Sequence, residues 1–176
     1  MNLRRIGVVI IFASIIIFTH ISCDLGIEPK PVTEPTGFSG KITFLGEWPE
    51  SIQRTHLVVF KNPLRFSNDF NVRNLKFVSS EIPYGTEEFE YSSLDSAVIP
   101  GSGNLSPGEY AYIAVAQSET PDLSLDRKDW IVAGIYFAPG DTLHPGKLVI
   151  PEGVVVENIN IICDFDDPPP QPPGVN

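Results

Sequence analysis

The sequence predicts an all-β chain: one β-sandwich of seven or eight short strands, with disordered proline-rich tails at both ends. Three observations predict it. Between Phe38 and Asp166 the apolar residues recur with period two rather than the 3.6 of a helix. Proline and glycine, 17 and 14 of the 176 residues, punctuate the alternating stretches. No stretch offers a helical apolar face, although Ser118–Asp129 has room for a single turn. Short strands at such spacing, with no helices between them, lead to two packed sheets.

Each element has its own warrant. In Phe38–Trp48 the even positions are mostly apolar (Phe38, Ile42, Phe44, Trp48) and the odd ones mostly polar, the mark of a half-buried strand. Thr55–Lys61 is a denser apolar run, which suits a central strand. Leu75–Ile82 and Phe89–Ile99 are weaker strand candidates, interrupted by Pro83, Gly85 and Asp95-Ser96. Glu109–Gln117 follows the turn signal Ser106-Pro107-Gly108. Trp130–Ala138 is closed by Pro139-Gly140-Asp141, and Lys147–Ile150 by Pro151-Glu152-Gly153. Val154–Phe165 reads as the last strand, with Val155, Ile159, Ile161, Cys163 and Phe165 on one face and Asn158, Asn160 and Asp164 on the other.

Composition narrows the function classes. With 42% hydrophobic and 10% aromatic residues, the chain has the material for a core, which excludes wholesale disorder. Two cysteines exclude a disulfide-stapled miniprotein and a four-cysteine zinc module. Twelve Lys and Arg against 22 Asp and Glu give a net charge of −10. Nucleic acid is thereby set aside as a partner, because its phosphates are held mainly by Lys and Arg.

The N-terminus reads as a targeting segment. Arg4 and Arg5 precede Ile6–Phe18, apolar except for Ser14. That run is short against the roughly 20 residues of a membrane span and suits a secretory signal. At His20-Ile21-Ser22-Cys23 the chain resembles a bacterial lipoprotein signal. The resemblance implies cleavage after Ser22 and a diacylated Cys23 as the mature N-terminus. Two or more acyl chains give stable attachment at about 0.8 kcal/mol per buried methylene. A retained signal anchor, its apolar run extended by Ile21, is the alternative. The domain plan is therefore a signal peptide over 1–22, a tether over 23–37, the sandwich over 38–166 and a tail over 167–176. Pro29, Pro31 and Pro35 lend the tether an extended geometry reaching roughly 40 Å.

Gly40-Lys-Ile42-Thr-Phe44, Val58-Val59-Phe60 and Leu105-Ser-Pro-Gly108-Glu-Tyr110 together resemble the carboxypeptidase regulatory-like family. The resemblance covers roughly 38–117. It implies a transthyretin-like or immunoglobulin-like sandwich serving as an accessory or adhesion module without catalysis.

Sites for chemistry are sparse. His56, His144 and Cys163 lack the close spacing of zinc ligands, and no cofactor is implied. His56 lies in a strand and reads as a core or sheet-face residue. Asp122, Asp126 and Asp129, with Asp164, Asp166 and Asp167, are calcium candidates, although neither group has the alternating spacing of a calcium loop. Gly101-Ser102-Gly103 is a loop tip rather than a nucleophile elbow. Cys163 points inward as a small apolar residue; a Cys23–Cys163 disulfide is its rival, and would exclude acylation. Trp48 and Trp130, with Tyr84, Tyr91 and Tyr136 beside them, are the candidates for stacking on a sugar. The expectation is a non-enzymatic, lipid-anchored protein of the cell envelope, at the outer membrane or cell surface ahead of the inner membrane. It would act through contacts with an envelope protein, with a carbohydrate-binding module as the alternative and a hydrolase as a third reading.

Overall fold

The structure is a computed structural model describing residues 34–95, 105–124, 126–141 and 144–172. The expected signal peptide, Cys23 and the tether up to residue 33 lie outside these residues. So do 96–104, which hold the end of the Phe89–Ile99 candidate and the Gly101-Ser102-Gly103 tip. The described chain is all-β, with nine strands and two 3₁₀ turns, Ser67–Asp69 and Arg127–Asp129. No helix among the described residues is long and apolar enough to cross a membrane.

Period-two alternation makes β1, Gly37–Leu45, the middle of the first sheet. It runs antiparallel to β4 (Glu88–Ser92) and parallel to both β8 (Val155–Val156) and β9 (Ile161–Asp164). The second sheet has the order β3 (Leu75–Val78), β2 (Arg54–Lys61), β5 (Gly108–Ser118), β6 (Ile131–Ile135). β7 (Lys147–Ile150) and β6 divide the far edge of β5, β7 along Gly108–Ala111 and β6 along Ala114–Gln117. The dense apolar run of β2 is thus flanked on both sides, as a central strand should be.

The expected last strand is two strands. β1 pairs with β8 and with β9, but between those registers Ser39–Lys41 faces the longer stretch Glu157–Asn160. The extra residue is absorbed at Asn158, whose φ is 64°, the left-handed region that Asn tolerates better than most residues. Pairing is not lost there, because the Ile159 amide donates to the Ser39 carbonyl at 3.0 Å. Lys41 N–H donates to the Asn160 side chain at 2.9 Å. Gly40 permits the approach; a Cβ there would overlap the Ile159 carbonyl. The inward set Ile159, Ile161 and Cys163 is buried as expected.

Both sheets contribute to one apolar core: Phe38 and Ile42 of β1, Leu57 and Val59 of β2, Ile113 and Val115 of β5, and Ile161 of β9. Phe38 is fully buried and meets Phe77 of the other sheet edge-on at 5.8 Å and Tyr91 at 5.6 Å. β6 and β9 also close on each other, since a Cβ at Gly134 would stand 2.7 Å from the Ile162 carbonyl.

Part of the expected tail is docked. Gln171 accepts the Val132 N–H and donates to the Val132 carbonyl, both at 2.8 Å. Prolines cannot supply ladder N–H groups, so a side-chain amide covers the free edge of β6, which would otherwise invite pairing with another chain. Arg127 holds the next residue, donating to the Pro172 carbonyl at 2.8 Å.

Candidate functional site

A strand with one solvated face alternates apolar and polar residues. β2 does not: Leu57 and Val59 enter the shared core, while His56, Val58 and Phe60 are buried on the opposite face. Val58 and Phe60, with Val78, Ala114, Ala116, Val132 and Ile135, form a second apolar cluster on the outer side of the five-stranded sheet. Leu64, Phe70 and Trp130 cover it in part, carried by the segments leading from β2 to β3 and from β5 to β6.

A bulge shapes this face. Val59 lies opposite Ile113, but Phe60 lies opposite Ala111. The skipped residue is Tyr112, with a φ of 57°, a strained setting for a bulky side chain at roughly 1–2 kcal/mol. Bulges re-aim side chains, and here Tyr112 joins an aromatic chain on the outer face. It meets Phe70 edge-on at 5.1 Å, Phe70 meets Phe60 at 5.5 Å, and Phe60 stacks on Trp130 at 6.2 Å. Burial pushes the pKa of the Tyr112 hydroxyl well up, and the Arg127 charge draws it partly back. That hydroxyl has no hydrogen-bond partner among the described residues.

Beside Phe60 and Phe70 a groove of about 50 Å³ is lined by Val58, Leu75 and Trp130, with Val72 and Leu123 also along it. Val72 is 53% and Leu123 40% exposed. His56 is 5% exposed and lies on this lining. Its Nδ1 stands 3.0 Å from the Ser79 carbonyl, an acceptor only, so Nδ1 carries the hydrogen. The other ring nitrogen, Nε2, is buried and without a partner among the described residues. Ser79 is itself held: its hydroxyl accepts the Leu57 N–H at 2.9 Å and donates to the Ser80 carbonyl at 2.7 Å.

The residues singled out from sequence are dispersed. Trp130 is on the groove, with the Arg127 guanidinium 4.2 Å over its ring. Trp48 belongs to a separate cluster, 4.5 Å from Phe44 and 5.3 Å from both Tyr84 and Phe165. Its indole N–H donates to the Thr86 carbonyl at 3.2 Å. Asp122 reaches the groove, whereas Asp129 accepts the Ser124 hydroxyl and Asp164 accepts the Asp166 N–H at 3.0 Å. Asp126 and Asp167 are exposed. Among the described residues no three His, Cys, Asp or Glu side chains gather as a metal site. His144 is 78% exposed and lies 3.2 Å from Asp141, apart from His56. Cys163 is fully buried, without a disulfide partner among the described residues, and burial pushes its thiol pKa well up.

Sequence reasoning missed Phe60, Phe70, Val72 and Leu123 as a group. One signal was present: the run His56–Phe60 is apolar at both parities, which means that both faces of the strand are covered. No family model, curated protein or solved structure matches the chain.

Proposed function

We propose that the chain is a lipid-anchored, extracytoplasmic binding module of the bacterial cell envelope. Cys23 carries the lipid, residues 23–36 are the tether leading into β1, and the two sheets are the halves of a sandwich of the transthyretin-like or immunoglobulin-like kind. The module acts without catalysis, through protein contacts on the outer face of the five-stranded sheet. One observation supports this most: that face is apolar and grooved, and Val72, Leu123 and the 71% exposed Phe66 stand in solvent around it. Exposed apolar side chains gathered on one face mark contact surfaces.

The test is chemical cross-linking of the full chain in intact cells, comparing wild type with a Val72→Asp/Leu123→Asp variant. The wild type is expected to give one discrete adduct. The variant, with its fold and membrane association retained, is expected to lose it. An adduct of undiminished yield in the variant refutes the assignment of this face.

A second reading is glycan binding near Trp48, where the Tyr84 ring is 56% exposed and lies 5.3 Å from the indole. A glycan array that scores for wild type and not for Tyr84→Ala supports it, and a blank array removes it.

A further inference from the structure

We propose that a second groove, at the five-stranded sheet, binds a free aromatic carboxylate, with Arg65 and Lys147 holding its charged end. The site lies beside the proposed contact surface and does not rest on that reading. Its size, its wall and its charge each lead there.

Phe70 lines two grooves, the small one beside Trp130 and a second of about 650 Å³. Small-molecule sites typically enclose roughly 300–1,000 Å³, so the second has room for a free ligand. The docked tail helps to make it a cleft. Pro170 and Pro172 lie on its lining, tied down where Gln171 bonds to Val132 and Arg127 donates to the Pro172 carbonyl. A cleft flanked by the chain's own tail takes a small molecule more readily than the flat surface of a protein.

The wall is apolar and largely aromatic. Leu64, Phe66, Phe70 and Phe137 line it, and Phe66 is 71% exposed. A planar ring laid against Phe66 removes apolar surface from water and packs edge-on or offset, as aromatic pairs prefer.

Charge selects the other end of the ligand. The chain carries a net charge of −10, yet the charged side chains on this lining are Arg65 and Lys147. Neither forms an ion pair among the described residues. Two carboxylates close by are engaged. Asp69 accepts the Arg65 and Phe66 N–H groups at 2.7 and 2.8 Å. Glu109, two residues along β5 from the Ala111 that pairs with Lys147, accepts the Asn62 amide at 2.6 Å. They offset part of the positive charge, which favours a singly charged carboxylate over a dianionic phosphate.

The probes are 2-naphthoate and 2-naphthamide, alike in shape and different in charge. Each is titrated at low salt into the full chain in phosphatidylcholine nanodiscs, with the backbone amides of Phe66, Ala111 and Phe137 followed by NMR. 2-Naphthoate is expected to shift those amides and to bind about tenfold more tightly, the least that a charge-assisted hydrogen bond is worth. The preference is expected to shrink as salt is raised. In Arg65→Gln/Lys147→Gln, altered at two exposed positions, it is expected to vanish. Wild type and variant share whatever partition of the probes into lipid occurs, so the lost preference reports the two cations. Equal binding of the probes by the wild type, no shift at the lining at millimolar concentration, or a preference kept in the folded variant overturns the inference. The wild-type comparison and its salt dependence need no substitution, so the test stands even where the variant fails to fold. Failure here leaves the contact face, tested through Val72 and Leu123, unaffected.

Discussion

Replacing Phe38 by alanine probes the junction of the two sheets. Phe38 is 0% exposed and meets Phe77 and Tyr91 edge-on, so truncation removes a whole ring from a site with no route to solvent. Phe→Ala in a core costs about 3–5 kcal/mol. Each aromatic pair is worth about 0.5–1.5 kcal/mol beyond area, which puts the expected loss near the middle or top of that range, about 4 kcal/mol. A domain typically has about 5–15 kcal/mol in hand, so the variant should still fold. Urea denaturation followed by tryptophan fluorescence is the assay. The midpoint should fall with the slope unchanged, and the melting temperature should drop by roughly 10–15 °C. Phe66→Ala is the control: at 71% exposure it should stay within about 0.5 kcal/mol of wild type. A Phe38→Ala loss below about 1 kcal/mol, or an equal loss in the control, would mean that the sheets do not share this core.

Three further outcomes are expected. Burial raises the pKa values of Tyr91, Tyr112 and Cys163, so the folded state favours their protonated forms. Their contribution is intact below the ordinary ionisation range, about pH 8.5 for Cys and 10 for Tyr, and is lost as pH rises above it; stability that is flat from pH 8 to 11 would contradict this. Gln171→Ala removes both side-chain bonds to Val132 and should cost about 1–2 kcal/mol, with faster hydrogen exchange at the Val132 amide and more self-association through the uncovered edge; unchanged exchange would show the docking to be incidental. Cys23→Ala should move the protein from the membrane fraction to the soluble one, and mass spectrometry of the wild type should find diacylglycerol on that sulfur; continued membrane association would favour a retained anchor.

The strands most legible in the sequence were those whose pattern is set by a single local rule. β1 shows alternation, β5 follows a proline–glycine turn, and β2 is a dense apolar run between turn signals. The break between β8 and β9 was obscured because Val155, Ile159, Ile161, Cys163 and Phe165 keep one parity across it. What divides the segment is a mismatch against β1, a strand more than a hundred residues earlier, and Glu157 and Asn158 mark the place. Gln171 was likewise unreadable, since a proline-rich segment carries no period and its partner Val132 is fixed by tertiary packing. The site was half legible. His56 was read as a sheet residue, which is true of its Nδ1; the unsatisfied Nε2 depends on Ser79 and on segments folded over the sheet from two other parts of the chain. Trp130 is a sugar-stacking candidate by sequence, yet its ring is shared with Arg127 and Phe60.

The most direct measurement is site-specific photo-cross-linking in living cells, with a photoreactive residue placed in turn at Val72, Leu123, Glu90 and Ile162. Val72 and Leu123 lie along the groove, whereas Glu90 and Ile162 lie on the four-stranded sheet. A module that binds through the five-stranded sheet gives a common adduct from the first pair and none from the second. Adducts from Glu90 or Ile162 alone, or equally from all four positions, would contradict it.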